Sequence, residues 1–242
     1  MPGFHASMIP ALRLDYEQID RRCRELKVAL DRAESAILRF EAEGTEHELR
    51  LDLRHRVAAA SGGLIREPGT AGNLPSGETY IVPYEGERAG DRSRSRGSLP
   101  LELEGELLSY RIEDNRIVEV LGDGPRAEAE RREVAAEPAY ANVAELGLGV
   151  LADFGVRPVG ATLLDEKLGL HIAFGRSDHF GGNVGAEDFT SPERVVHIDR
   201  VYLPEVQPRV RVPAVDLVLA GDAGPGQIPL IRDGRLVPIN LE

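Results

Sequence analysis

The spacing of apolar residues along the chain follows a helical period first and an alternating period afterwards. Between residues 11 and 43 apolar side chains recur every three or four positions, with Arg and Glu between them, until Gly44. This pattern predicts one long amphipathic helix over 11–43. The positions that define it are Leu12, Ile19, Cys23, Leu26, Leu30, Ala33, Ile37 and Phe40.

From residue 48 onwards the pattern predicts a β-rich domain of mixed α/β (α+β) class. Short alternating or apolar segments are separated by Gly-, Pro- and Asp-containing turns, as in antiparallel sheets. The predicted elements are a strand over 48–54, a loop over 61–77, a strand over 78–82, antiparallel strands over 99–121 with a turn at 113–115, a charged helix over 125–137, buried segments at 144–150, 163–175 and 195–203, and a strand–turn–strand around 231–236.

Composition narrows the class of protein. The 242 residues are 42% apolar, enough for a substantial core, and carry a formal net charge of −12, which disfavours nucleic acid as a partner. Cys23 is the only cysteine, so neither an intramolecular disulfide nor a cysteine-built zinc site is possible. No apolar run approaches the roughly 18 residues of a membrane span, and no secretory signal is evident. We therefore expect a cytoplasmic protein without membrane contact.

His197 and Asp199 form a His-x-Asp motif in a β-like segment. Residues two apart in a strand project to the same face, so both side chains can reach one metal ion. Without other residues, such a motif is more often a surface pair, or a pair behind the metal ligands, than a metal site.

Glu166 and His171 stand five residues apart in apolar surroundings, with Gly169 between them. A loop that turns into a strand at His171 would let both side chains point into one cavity. The alternative is a loop carboxylate beside a hydrogen-bonded core histidine.

Glu78 and Glu145 lie in apolar, Gly-rich segments. An ionised carboxylate in such surroundings is costly unless it is paired or bound to a metal. Neither segment has a cation nearby in sequence, so a metal is a plausible partner; a helix end or a distant arginine is the alternative.

A polar segment over 85–98 contains Arg88, Arg92, Arg94 and Arg96. Its composition is typical of a solvated loop, and a clamp for an anionic group is the alternative.

Four ordered blocks between residues 62 and 204 resemble the thermophilic metallo-aminopeptidases of the aminopeptidase T and aminopeptidase S type. They are Asn-Leu-Pro-x-Gly-Glu, Asn-x-Ala-Glu-Leu-Gly-x-Gly, Asp-Glu-Lys followed by His-Ile-Ala-x-Gly, and His-x-Asp. The resemblance implies a β-rich domain over 61–242 that binds metal, preceded by a helix and strand over 1–60. It also implies two divalent ions (zinc, cobalt, manganese or magnesium), a peptide or small amide substrate with a free amino end, and a homodimer. The ligands it implies are Glu78, Glu145, Glu166, His171, His197 and Asp199.

The sequence departs from that family at three points. The region before Glu78 is much shorter, Gly77 stands where some members have a second glutamate, and Asp178-His179-Phe180 replaces a tyrosine. An ordinary loop histidine is the expected role of His179, and a hydrogen-bond donor in place of the tyrosine is the alternative.

Two other functions remain open. The scaffold also resembles a ring-cleaving dioxygenase of hydroxypyridines, in which two histidines and one aspartate bind a single iron(II); His171, His197 and Asp199 would supply them. Retention of all three glutamates favours the hydrolase. The third possibility is a binding protein without turnover.

Overall fold

The computed structural model describes residues 4–69, 71–219 and 226–239. Both ends of the chain, 1–3 and 240–242, lie outside this range, so the outer limits of the two expected segments, 1–60 and 61–242, do as well. Within the described residues the helices are α1 (Tyr16–Asp31), α2 (Pro125–Ala136) and α3 (Thr162–Asp165). The strands are β1 (Ala33–Ala42), β2 (Thr45–Asp52), β3 (Ala59–Ser61), β4 (Glu78–Ile81), β5 (Arg96–Leu103), β6 (Glu106–Glu113), β7 (Arg116–Leu121), β8 (Val143–Gly149), β9 (Leu170–Gly175), β10 (His197–Val201), β11 (Val210–Leu219), β12 (Gln227–Arg232) and β13 (Arg235–Leu236).

The strands form two antiparallel sheets, so the expected mixed, sheet-rich α+β class is confirmed. Counted over the described residues, the larger sheet has eight strands in the order β13-β12-β11-β1-β2-β5-β6-β7. The smaller has five, in the order β10-β9-β8-β4-β3. The inner face of the smaller sheet packs on the larger sheet: the Phe174 ring lies 5.3 Å from that of Tyr110, and Tyr202 lies 5.0 Å from Phe40.

The predicted helix over 11–43 is wrong in its second half. Helix α1 begins after Asp15, whose carboxylate accepts hydrogen bonds from the amides of Glu17 and Gln18, and it ends at Asp31. Strand β1 follows one residue later. Its segment fits both periods, because Ala33, Ile37 and Phe40 follow the helical spacing while Ala36, Leu38, Phe40 and Ala42 alternate and are all buried. Pairing with β2 and β11 on both sides decides in favour of the strand.

Most of the other predicted elements have counterparts in the structure. Strand β2 covers most of the alternating segment, and α2 matches the charged helix. The predicted turn lies between β6 and β7 and contains Asp114 and Asn115, both with positive φ. Asp and Asn tolerate this conformation better than most other residues. None of the helices within the described residues has the length and apolarity needed to cross a membrane.

Candidate metal centre

Four neighbouring strands of the five-stranded sheet carry acidic and histidine side chains on the outer face. Glu78 on β4 lies opposite Gly149 on β8. Glu145 on β8 lies opposite Ala173 on β9, which in turn lies opposite Asp199 on β10. Directly opposed residues share a face of the sheet. The register therefore gathers side chains from distant parts of the sequence on one surface.

Glycine and alanine occupy positions between these side chains on the same face. A Cβ atom on Gly147 would lie 1.9 Å from Nε2 of His171, and one on Gly149 would lie 2.0 Å from the carbonyl carbon of Lys167. Ala173 separates two of the acidic residues. The Gly-x-Gly part of the second sequence block thus leaves the room that His171 and the backbone of Lys167 occupy.

Among the described residues, possible ligand atoms meet in two groups that share Glu145. One contains Glu78, Glu145 and His171, and the other contains Glu145, His197 and Asp199; within each group the atoms lie within 4.8 Å of one another. Oε1 of Glu145 is 3.2 Å from Nε2 of His171, and its Oε2 is 3.0 Å from Nε2 of His197. Each oxygen of this carboxylate therefore faces a different group.

Backbone carbonyls orient both imidazole rings. Nδ1 of His197 lies 2.7 Å from the carbonyl oxygen of Arg176, and Nδ1 of His171 lies 3.4 Å from that of Gly169. A carbonyl oxygen only accepts hydrogen bonds, so Nδ1 is the donor in each ring. Nε2 then points into the site, as in histidines that bind metal through Nε2.

Mutual pairing stabilises the charged forms of these groups. Burial works against the imidazolium of His171, but the hydrogen bond and charge of Glu145 outweigh it and raise the pKa to about 9. His197 is likewise buried, yet Asp199 and Glu145 raise its pKa to about 10. Burial opposes ionisation of Asp199, but His197 and His171 lower its pKa to about 2. The pKa of Glu145 is also lowered, by the two histidines against burial.

Lys167 is a charged residue of the site that the sequence reasoning missed. Its side chain is only 3% exposed, and Nζ lies 2.5 Å from Oε1 of Glu78 and also hydrogen-bonds Glu166. Glu78 has no cation nearby in sequence, but the fold brings one to it from 89 residues away. The available signal was a lysine inside the Asp-Glu-Lys block, in apolar surroundings between Glu166 and His171.

Glu166 lies outside both groups of possible ligands among the described residues. It accepts a hydrogen bond from Lys167 and lies close enough to Asp199 to feel the charge of that carboxylate. Burial raises its pKa to about 7, since the opposing charge of Lys167 only partly compensates.

All six residues line one cavity of about 390 Å³ together with Lys167. One wall is aromatic: the Phe180 ring lies 4.5 Å from that of Tyr80 and 5.3 Å from that of His197. Acidic groups and an aromatic wall thus face the same space.

His179 and Gly77, the two departures within the motif region, lie at the edge of this arrangement. The His179 ring is 5.2 Å from that of His197, and burial lowers its pKa. Gly77 has a φ of 146°, and a Cβ there would lie 2.5 Å from Leu151. The backbone at Gly77 therefore disfavours any side chain.

The fold and the buried acidic and histidine residues define a two-sheet α+β protein with a candidate metal centre. No family model matches the sequence, and no curated protein matches it. Solved structures do match this chain. The chain is similar to wild-type AmpT, aminopeptidase T, from Thermus thermophilus, with a TM-score of 0.60 and 22% identity over 96% of this chain and 57% of that one.

A second similar structure is 2,5-dihydroxypyridine dioxygenase from Pseudomonas putida KT2440. The TM-score is 0.62 at 17% identity, over 96% of this chain and 62% of that one. This chain therefore spans about three fifths of the length of both neighbours. At such identities the likeness shows an aminopeptidase-like fold that a dioxygenase shares, and both neighbours are enzymes.

Proposed function

We propose that this protein is a dinuclear, metal-dependent hydrolase of the aminopeptidase type, acting on a peptide or small amide with a free amino end. The observation that carries this proposal is the pair of possible ligand groups that share Glu145. A carboxylate whose two oxygens face different sets of ligands is suited to bridge two ions. Glu78 and His171 would complete one side, and His197 and Asp199 the other.

The charge of the cavity also fits divalent cations. Four carboxylates (Glu78, Glu145, Glu166 and Asp199) face one ammonium, that of Lys167, among the described lining residues. In the metal-free protein Lys167 and the two imidazolium groups balance most of this negative charge. Once both imidazoles lose a proton to bind metal, three negative charges remain, and divalent cations would compensate them. Oxygen and nitrogen donors suit zinc, cobalt, manganese or magnesium.

Two divalent ions bound there would acidify a water molecule and polarise the scissile carbonyl. Glu166 lines the same cavity outside both groups of possible ligands, and Lys167 holds its carboxylate, so it is a candidate to hold and move a proton. We therefore assign it proton transfer in the first instance, with metal ligation as the second possibility.

The cavity walls support a substrate with a cationic amino end. Its acidic residues favour a protonated amine, and the aromatic pair Tyr80 and Phe180 offers an apolar surface beside them. A volume of about 390 Å³ accommodates one or two residues of a peptide.

The iron(II) dioxygenase stays the second candidate because a dioxygenase shares the fold and His171, His197 and Asp199 line one cavity. The grouping of ligand atoms favours it less. Among the described residues, each group contains Glu145, and none combines both histidines with Asp199. A mononuclear triad has no use for Glu145.

Metal content per chain tests the proposal, measured by elemental analysis on protein purified without chelators or a metal-binding tag. We expect two equivalents of zinc, cobalt or manganese in the wild type, both lost in Glu145→Ala and retained in Glu205→Ala, an exposed glutamate outside the cavity. One iron that persists in Glu145→Ala would favour the dioxygenase. No metal at all would favour a binding protein without turnover. With two ions bound, aminoacyl amides are the first substrates to screen.

A further inference from the structure

The eight-stranded sheet carries a second concentration of charge, on residues outside the candidate metal cavity. Its outer face and the loop before β5 form a groove of about 960 Å³, larger than the candidate metal cavity. We call this the arginine groove and define it by its basic residues, Arg50, Arg92, Arg94, Arg96 and Arg111. Three of them belong to the segment 85–98 that the sequence analysis singled out.

Two of these arginines face each other directly. Arg50 on β2 is the register partner of Arg96 on β5. Like charges directly opposite one another on neighbouring strands repel and destabilise the pairing. A cross-strand arginine pair is therefore a position at which a bound anion would relieve repulsion.

Three carboxylates among the described residues line the groove, and each is paired with an arginine other than Arg50, Arg94 and Arg96. Glu113, opposite Arg96 on β6, accepts a hydrogen bond from Arg111, and Asp114 lies 3.8 Å from Arg92. Glu48 lies 3.5 Å from Arg39, on β1. Across the described part of the chain, no ion pair within 4.0 Å is found for Arg50, Arg94 or Arg96, whereas most other arginines have one.

We propose that the arginine groove binds an acidic peptide segment with carboxylates at alternate positions. Arg92, Arg94 and Arg96 are exposed and alternate with the buried Ser93 and Ser95. Alternate side chains on an extended chain are about 6.6 Å apart, which is also the spacing of alternate carboxylates on an extended peptide. Guanidinium groups bind carboxylates with two parallel hydrogen bonds. Arg94 and Arg96, for which the described residues provide no ion pair, can therefore each take one acidic residue.

Single-stranded nucleic acid fits this groove less well. The described residues that line it include no Phe, Tyr or Trp on which a base could stack. A carboxylate peptide needs no stacking surface, only the guanidinium groups.

The test is fluorescence anisotropy with a fluorescein-labelled peptide of alternating Glu and Ser, compared with a peptide of alternating Gln and Ser. We expect salt-dependent binding of the Glu peptide alone. The double variant Arg50→Gln/Arg96→Gln should weaken this binding about tenfold, the effect of losing two charge-assisted contacts. The same variant should keep its fold, because it removes a repulsive pair; thermal unfolding checks this.

The matched control is Arg24→Gln/Arg132→Gln, which removes the same charge from two exposed helix positions. Equal weakening in both double variants would show general attraction and overturn the proposal, as would unchanged binding in Arg50→Gln/Arg96→Gln or no binding to the wild type. Tighter binding of oligothymidylate would assign the groove to nucleic acid, and self-association lost in the same variant would assign it to a second copy. None of these outcomes depends on the metal content of the protein.

Discussion

A few buried charges, each with its own partners, give the outer face of the five-stranded sheet its chemistry. Glu145 links the two groups of possible ligands, because each of its oxygens faces a different histidine. Lys167 acts on the same site from the side: it binds Oε1 of Glu78, while Oε2 of Glu78 lies 3.6 Å from Nε2 of His171. Lys167 therefore leaves one oxygen of Glu78 directed at the centre.

Replacing Lys167 with methionine should weaken binding of one metal ion more than the other. Without its ammonium group Glu78 is free to rotate, and loss of such an orienting partner costs about tenfold or more in metal affinity. Titration with Co²⁺, followed by its visible absorption, would resolve the two binding steps. Lys27→Met is the matched control, since Lys27 is the only other lysine and lies on α1. Two unchanged steps in Lys167→Met would contradict a positioning role for Lys167.

Metal binding should release protons near pH 7.5. In the metal-free protein the pKa values of His171 and His197 are raised to about 9 and about 10, so both rings are charged at that pH. A metal binds only the neutral ring, so both protons must leave. Calorimetry in buffers of different ionisation enthalpy counts them, and the apparent affinity should rise with pH until about 10. Binding without proton release would contradict these shifts.

The same two shifts fix the sign of the pH effect on the metal-free fold. A histidine whose pKa is raised in the folded state stabilises that state fully at any pH below its unfolded pKa, about 6.5. This stabilisation is lost as the pH rises through the folded pKa. The denaturant midpoint of the metal-free protein should therefore decrease as the pH is raised from about 7 to about 10, because His171 and His197 lose their protons. Saturating metal should make the denaturant midpoint nearly independent of pH in this range. If the midpoint fell equally steeply with metal bound, the two histidines would not be the cause of the pH effect.

Single residues were only partly predictable from the sequence. The His-x-Asp pair was predicted to share a face of a strand, and β10 places His197 and Asp199 in that way. Lys167 was not recognised, because a lysine beside acidic residues is typical of an exposed turn. Its burial depends on Gly149, 18 positions earlier, where the lack of a side chain admits the Lys167 backbone.

At the scale of elements, strand β8 serves as the floor of the site. Glycine at 147 and 149 lowers its intrinsic strand stability, and both positions are used for close packing. A register shift between Val143 and Glu145 interrupts the pairing with β9 just where Glu145 turns to the outer face. Such bulges commonly redirect a side chain next to a functional site.

Gly147→Ala should displace His171 and reduce metal binding. The added methyl group would lie 1.9 Å from Nε2, so the imidazole must move, and overpacking of this kind costs about 1–3 kcal/mol. Metal stoichiometry and urea unfolding measure the two effects. Gly226→Ala is the control, because its Cβ would lie 3.5 Å from Leu219, an ordinary contact. A variant with normal metal content would show that the ring position is not restricted by β8.

Elements with one clear period were predictable, and the element with two periods was not. α2 and the β6–β7 hairpin have local signals, a helical Pro-initiated segment and an Asp-Asn turn. The segment 33–42 satisfies helical and alternating spacing at once, and no Gly or Pro separates it from α1. Only the neighbouring strands, β2 and β11, decide between the two.

On the scale of the whole molecule, β10 joins the candidate centre to the interface between the sheets. Its outer face carries His197 and Asp199, while Arg200 points inwards. There Arg200 donates hydrogen bonds to Tyr140, at 2.6 Å, and to the buried Glu130 of α2, at 3.3 Å. One short strand thus contacts both the site and the core.

Arg200→Met should destabilise the fold by about 3 kcal/mol, because it removes a buried partner of Glu130. Arg126 still pairs with Glu130 at 2.8 Å, so the expected loss of stability lies at the lower end of the range for a broken buried ion pair. Urea unfolding gives the value, and Arg211→Met, at a largely exposed arginine, should have little effect. Equal midpoints for both variants would mean that Arg200 contributes little to the contact between the sheets.

The position of β10 at the end of its sheet has a kinetic consequence. Within the described part of the chain it pairs with β9 alone, so it can fray without the opening of any other strand. His197 and Asp199 would leave together when it does, whereas Glu78, Glu145 and His171 lie on interior strands. An ion on the His197 side would therefore have a shorter residence time than its neighbour, and its exchange with added isotope should keep pace with hydrogen exchange at the β10 amides.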